Sequence, residues 1–261
     1  MGNIKTVKVN DCEIGGDRFI FMAGPCSVES EEQIMKIATL LDELKIHILR
    51  GGAFKPRTSP VAFQGLGLEG LKLLRKAADK YKLLVVTEVM DTKDISLISE
   101  YADILQVGTR NMFNYSLLKE LGKARKAVLL KRSFMATIEE YVMASEYILQ
   151  GGNEDLIYCE RGIRTFMKET RFTLDISAIP LIKQMTNRPV IIDPSHATGI
   201  RSLILPMTKA GLVTGASGAM IEVHPDPDKA LSDGAQSLNL NQFRAVIEEV
   251  RKLENQIKAS D

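Results

Sequence analysis

Short apolar runs alternate with amphipathic stretches along almost the whole chain. The runs are FIFMAG (19–24), HILRGG (47–52), LLVVTEV (83–89), ILQVGT (104–109), AVLLKRS (127–133), LIYCERG (156–162), PVIIDPS (189–195) and AMIEVHP (219–225). They are continuous rather than alternating, which is how strands buried on both faces read. Helical patterns lie between them. SEEQIMKIATLLDEL opens at Ser30 as N-cap, with Gln33 at the capping-box position, and sets Ile34, Ile37, Leu40, Leu41 and Leu44 on one stripe. TIEEYVMASEYILQGG starts at a Thr137 cap and stops at glycine. LNQFRAVIEEVRKLENQI places Phe243, Val246, Ile247, Val250 and Leu253 on one face.

The count is eight strands and eight helices, spaced by about 20 to 36 residues. Strict βα alternation implies a parallel sheet with right-handed crossovers. Eight units in this length predict a closed (β/α)₈ TIM barrel. The competing architecture is an open doubly wound sheet, but no G-x-G-x-x-G follows the first strand. The leading segment IKTVKVNDCEIGGDRF reads as a β-hairpin around Gly15–Gly16, an extension over residues 1–18 that caps the bottom of the barrel. The first barrel strand begins near residue 19 and the last helix ends near 258. The expectation is one domain over 1–261.

Composition narrows the function classes. With 45% hydrophobic and 26% charged residues in 261, the chain has ample material for a core. A formal charge of +1 argues against a nucleic-acid surface built on bulk positive potential. Cys12, Cys26 and Cys159 are too few and scattered for a disulfide framework, which points to a reducing, cytoplasmic setting. The N-terminus has no secretory pattern, and no run of 18 apolar residues predicts a membrane span.

Positive charge is nonetheless crowded locally. RGGAFKPRTSP puts Arg50, Lys55 and Arg57 into eight residues stiffened by glycine and proline. In a barrel the C-terminal strand ends form the reactive face, and here nearly every strand ends in ionisable residues. Six cations fall there: Arg50, Lys55, Arg57, Arg110, Lys131 and Arg161. Such a set repels itself unless anions compensate it, so it points to one or two multiply charged anionic substrates. The loop FKPRTSP can grip a phosphate through Lys55, Arg57 and the Thr58 hydroxyl. A second group, Cys26, His196, Glu222 and Asp233, mixes sulfur, nitrogen and oxygen donors, which suits a borderline divalent ion such as Mn, Fe, Co or Zn. The four span two hundred residues, so spacing alone does not single them out, and a buried Cys26 reads equally as a small hydrophobe. His47 reads as structural, and His224 as either a partner of Glu222 or a core histidine.

The same residues carry a family resemblance. MAGPCSVES, GGAFKPRTSP, FQGLG, QVGTRN, LLKRSF, YCERGIRTF, IIDPSHATG, MIEVHPDP and ALSDGAQSL resemble 3-deoxy-D-arabino-heptulosonate 7-phosphate (DAHP) synthase across essentially the whole chain. It looks like the short type I form, of the subgroup related to 3-deoxy-D-manno-octulosonate 8-phosphate (KDO8P) synthase. Longer relatives carry a domain that handles feedback, so the resemblance implies a catalytic domain over 1–261 with no regulatory domain and no feedback inhibition by phenylalanine or tyrosine. The resemblance implies a (β/α)₈ barrel that joins phosphoenolpyruvate to erythrose 4-phosphate with release of phosphate, the first step of the shikimate pathway. It implies a metal set of Cys26, His196, Glu222 and Asp233. It implies phosphoenolpyruvate contacts from Arg50, Lys55, Arg110, Lys131 and Arg161, and erythrose 4-phosphate contacts from Arg57 and Thr58, with Asp193 near the aldehyde. Lys55, Lys131, His196 and Asp193 are the implied catalytic groups, with the proton carrier left open between Lys131 and a metal-held water. It also implies a homotetramer. KDO8P synthases carry a KANRSS-like loop where this chain has FKPRTSP, and their metal-free members carry Asn at the Cys26 position. A phosphometabolite-binding barrel without catalysis is the alternative from another class.

Overall fold

The computed structural model describes residues 4–55, 61 and 63–259. A two-stranded antiparallel ribbon, β1 (Val7–Val9) and β2 (Cys12–Ile14), comes first. The barrel strands follow as β3 (Ile20–Gly24), β4 (Ile48–Arg50), β5 (Leu84–Val89), β6 (Ile104–Val107), β7 (Ala127–Lys131), β8 (Leu156–Glu160), β9 (Val190–Ile192) and β10 (Gly218–Glu222). They close in sequence order, all parallel, with β10 returning to pair with β3. The helices are α1 (Glu31–Glu43), α2 (Leu68–Tyr81), α3 (Ile95–Tyr101), α4 (Tyr115–Gly122), α5 (Ile138–Leu149), α6 (Ala178–Thr186), α7 (Pro194–Thr198), α8 (Arg201–Val213) and α9 (Leu240–Lys258). The expected (β/α)₈ barrel is therefore the fold, with one added short helix, α7, after β9.

Two cores result from strand alternation. Outward-facing residues such as Phe21, Leu49, Val85, Leu105 and Ile192 pack against the helices. Inward-facing residues Met22, Ile48, Val86, Ile104, Leu129, Ile157, Ile191 and Met220 fill the barrel. Val7, Cys12 and Ile14 of the ribbon join this inner cluster, so the N-terminal extension plugs the bottom as expected. Its turn is not at Gly15–Gly16. The strands pair Val9 with Cys12, so the turn falls on Asn10 and Asp11, with Asn10 at φ 50°. Asparagine tolerates the left-handed region, and the glycines instead lead from β2 towards the barrel.

The expected capping box on α1 is half formed. Ser30 accepts from the Gln33 amide at 3.2 Å. The Gln33 side chain accepts from the Glu29 amide at 2.9 Å and donates to the Ser27 carbonyl at 3.2 Å. It thereby pins the loop that follows Cys26. The box on α5 is complete, between Thr137 and Glu140.

Candidate active site and metal centre

The C-terminal strand ends form the mouth, and strand pairing determines what meets there. Glu222 at the end of β10 lies opposite Gly24 at the end of β3, two residues before Cys26. Gly24 has φ 151°, and a Cβ there would stand 1.9 Å from the Arg50 carbonyl. Only glycine lets β3 and β4 approach this closely. Arg50 thus reaches across and donates to Glu222 Oε1 at 2.6 Å and to the Pro25 carbonyl at 3.1 Å.

α7 delivers the imidazole. Asp193 caps it, accepting the His196 amide through Oδ1 at 3.0 Å, while Oδ2 meets His196 Nδ1 at 2.7 Å. With Nδ1–H donated to the carboxylate, the Nε2 lone pair is left facing the mouth. There Nε2 lies 3.2 Å from Glu222 Oε1 and 3.9 Å from Asp233 Oδ2. Cys26 Sγ donates to the same Asp233 oxygen at 3.2 Å. Asp233 adopts the left-handed conformation, φ 52°, at the start of a turn. The donor atoms of Cys26, His196, Glu222 and Asp233 all lie within 4.8 Å of one another. Residues separated by up to two hundred positions therefore converge as expected, and one sulfur, one nitrogen and two oxygens in that volume fit a single borderline divalent cation.

The electrostatics also fit a cation. Burial, reinforced by Glu222, pushes the Cys26 thiol up to about 11. Burial also holds His196 below the usual histidine range. Burial alone would raise Asp193, yet His196 and Lys131 hold it well below the ordinary carboxylate range. Glu222 is likewise brought down to about 2, against burial, by His196 and Arg50.

Four of the six expected cations are buried around this centre: Arg50, Lys55, Lys131 and Arg161. Lys55 Nζ donates to Cys26 Sγ at 3.0 Å and to the Cys26 carbonyl at 2.9 Å. Lys131 Nζ lies 2.5 Å from Asp193 Oδ2. Arg161 differs from these. Among the described residues it donates to the carbonyls of Gly162 and His196 alone, each at 3.4 Å, and its guanidinium lies over the Phe172 ring at 4.3 Å. No carboxylate pairs with it among the described residues, and burial pushes its pKa down. Arg110 is exposed on the rim, without an ion pair among the described residues. Arg57 and Thr58 lie outside the described residues.

Other charges at the strand ends belong elsewhere. Arg132 pairs with Glu160 at 3.0 Å and with Asp175 at 2.9 Å, a buried structural knot. His224 Nε2 meets Glu29 at 3.2 Å rather than Glu222, and His47 is exposed. Sequence reasoning left four residues out of the site. Glu88 is buried at the end of β5 and accepts from Gln106 at 3.3 Å across the β5–β6 pair. A Cβ at Gly108 would stand 2.0 Å from its Oε1. Gln236 donates to Glu222 Oε2 at 2.5 Å, and Arg171 donates to Gln236 Oε1 at 3.0 Å. For Glu88, the run LLVVTEV hides the parity, since Val85 outside and Val86 inside are the same residue type; for Gln236 and Arg171, both on loops, no periodicity exists to read.

Comparison with known proteins agrees with this geometry. Residues 3–259 match the DAHP synthetase I family. A Thermotoga maritima protein named phospho-2-dehydro-3-deoxyheptonate aldolase is 52% identical over 247 residues, spanning 95% of this chain and 73% of that one. A Syntrophotalea carbinolica protein named 2-dehydro-3-deoxyphosphooctonate aldolase is 30% identical, spanning 98% of each. Among solved structures, Thermotoga maritima DAHP synthase superposes with a TM-score of 0.95 at 50% identity, over 98% of this chain and 75% of that one. A truncated form of the Thermotoga maritima synthase gives 0.92 at 47% identity, over 98% and 94%. A barrel mouth that gathers a mixed-donor set inside a ring of buried cations, on a sequence matched from residue 3 to residue 259, marks the chain as a member of the DAHP synthetase I family.

Proposed function

We propose that this chain condenses phosphoenolpyruvate with D-erythrose 4-phosphate to give DAHP and inorganic phosphate, the entry step of aromatic amino acid biosynthesis. The observation that carries the reading is the packing of four potential metal donors within 4.8 Å, ringed by buried cations of which Arg161 has no carboxylate partner among the described residues. A buried guanidinium without a counter-ion is costly, and an anionic substrate would complete it.

Cys26, His196, Glu222 and Asp233 would hold the metal. A divalent ion there supplies Lewis-acid polarisation of the aldehyde oxygen. The remaining work falls to the side chains. Arg161, Arg50, Lys55 and Lys131 hold the carboxylate and phosphate of phosphoenolpyruvate, with Arg110 closing from the rim. Arg57 and Thr58 hold the phosphate of the aldose, on the strength of the FKPRTSP motif. Two anions that repel in water are thereby set side by side, which turns a two-body encounter into a positioned one. The enol carbon bonds to the aldehyde carbon, water adds at the adjacent carbon, and the carbon–phosphate oxygen bond breaks. Asp193 keeps His196 in the tautomer that faces the donors. The proton is carried by Lys131 or by a metal-held water; that Lys131 Nζ and Asp193 Oδ2 lie 2.5 Å apart supports the former.

The barrel and its ribbon would act as one catalytic unit, in a cytoplasmic homotetramer. Free thiols at Cys12, Cys26 and Cys159 suit a reducing compartment. No helix among the described residues is long and apolar enough to cross a membrane. The deciding experiment is a product assay with phosphoenolpyruvate and either erythrose 4-phosphate or arabinose 5-phosphate, with and without Mn²⁺. Turnover of the four-carbon sugar, dependent on metal, is expected. Turnover of arabinose 5-phosphate alone would assign the chain to the octulosonate reaction, and none with either would leave a binding protein.

A further inference from the structure

Each polar side chain at the proposed metal centre has one atom facing the centre and another held from behind. His196 presents Nε2 and is held at Nδ1 by Asp193. Glu222 presents Oε1 to His196 at 3.2 Å, while Oε2 is held by Gln236 at 2.5 Å. Asp233 presents Oδ2 to Cys26 at 3.2 Å, while Oδ1 lies 3.6 Å from Arg171. Arg171 and Gln236 therefore stand behind both carboxylates, and neither enters the proposed chemistry.

Their order is fixed by donor chemistry. Arginine has donors only. Facing Arg171, Gln236 must offer its carbonyl oxygen, as it does at 3.0 Å. That leaves its NH₂ for Glu222. Turned over, the amide would set NH₂ against guanidinium and oxygen against carboxylate, two repulsive contacts. Gln236 is buried, so water offers no substitute partner. Arg171 is itself clamped through the backbone. Its amide donates to the Thr198 carbonyl at 2.9 Å, and that of Phe172 to Ala197 at 2.7 Å. Both acceptors follow His196 on α7, so one loop braces three of the four donors.

Resting on the reading of Cys26, His196, Glu222 and Asp233 as a metal set, we propose that Arg171 and Gln236 are positioning residues. They raise metal affinity by orienting the Asp233 and Glu222 carboxylates. The inference makes a choice of sign. A guanidinium beside a cation site repels the cation, so bare Coulomb reasoning has Arg171 weaken binding. The hydrogen-bond geometry has it strengthen binding.

The test is Co²⁺ titration of the metal-stripped chain, read by thiolate-to-cobalt absorption and by competition with a chromophoric chelator. Gln236→Leu and Arg171→Leu should each weaken Co²⁺ binding by roughly 10- to 100-fold. The double variant should lose less than the two single losses combined, because Arg171 holds Gln236 as well as meeting Asp233 itself. Arg171→Lys, which keeps the charge and a donor without the planar fork, should recover part of the loss. Melting of the metal-free variants separates a folding defect from a site defect. Unchanged or tighter binding in the leucine variants, or independent additive losses, overturns the inference. Absence of Co²⁺ binding by the parent chain overturns the metal reading itself, so the two failures are distinct.

Discussion

The two ends of the barrel interior follow one alternation and carry opposite chemistry. At the lower end Met22, Ile48, Val86, Ile104, Leu129, Ile191 and Met220 form a dry plug with the N-terminal ribbon. Two residues further along the same strands stand Gly24, Arg50, Glu88, Gln106, Lys131, Asp193 and Glu222. A step of about 6–7 Å along a strand thus separates a hydrocarbon core from an ionised one. Both ends are buried, but different terms hold them. The lower end is held by apolar burial and close packing. The upper end is held by pairing, Arg50 with Glu222 and Lys131 with Asp193, which offsets desolvation without making the layer intrinsically stabilising. Changes at the top should therefore abolish chemistry, and changes at the bottom should lower stability alone.

The largest effect is expected at the metal set. Cys26→Ala should reduce turnover by at least about a thousand-fold, in the range of losing a Lewis acid worth several kcal/mol. The far-ultraviolet circular dichroism should stay that of the parent, and EDTA should have the same effect on the parent, reversed by added Mn²⁺. Full activity in metal-free buffer would contradict this. Next comes the pairing. Lys131→Met leaves Asp193 as a buried charge short of a partner and should cost about 3–5 kcal/mol in urea unfolding, together with activity. At the plug, Ile14→Ala should cost about 2–5 kcal/mol of stability. Its kcat and its Co²⁺ affinity should match the parent's, and a change in metal affinity would show that the two ends are coupled.

Proton linkage gives a finer test. The Cys26 thiol sits near 11 without a metal, and a cation binds the thiolate. Binding therefore releases a proton, and Co²⁺ affinity should rise about tenfold per pH unit between pH 6 and 8. A flat profile would remove the thiolate from the ligand set. The smallest effect belongs to the tether between the N-terminal extension and the barrel. Lys5 and Arg188 both pair with Glu154 and, by hydrogen bonding, bring its carboxyl from 4.5 to about 2. A depressed carboxyl stabilises above its unfolded value and loses that contribution as pH falls from about 4.5 towards 2. Glu154 is about half exposed, so Glu154→Gln should cost less than about 1 kcal/mol at pH 7, and nothing at pH 2.

Much of this contrast is legible in the chain. Eight continuous apolar runs give the barrel because parallel strands covered on both faces need no polar alternation. The ionised ends of those runs give the mouth. What the runs hide is parity. Lys131 and Arg132 are adjacent cations, yet Lys131 enters the site and Arg132 turns out to the Glu160–Asp175 knot. In the same way Arg161 enters and Glu160 does not. A strand sends neighbours to opposite faces, so one residue of uncertainty in register exchanges a proposed substrate contact for a structural pair. Gln236 was invisible for another reason: a neutral amide on a loop has neither charge nor period to mark it, and its role exists only because Arg171 approaches from a loop some sixty residues away.

The central claim is that four side chains from distant parts of the chain share one ion. A crystal soaked in Mn²⁺ or Co²⁺, with data collected at the metal's absorption edge, tests it most directly. A single anomalous peak should lie roughly 2.0–2.4 Å from Cys26 Sγ, His196 Nε2 and one oxygen each of Glu222 and Asp233. A peak bound elsewhere, or one that leaves Cys26 or His196 beyond bonding distance, would contradict the account.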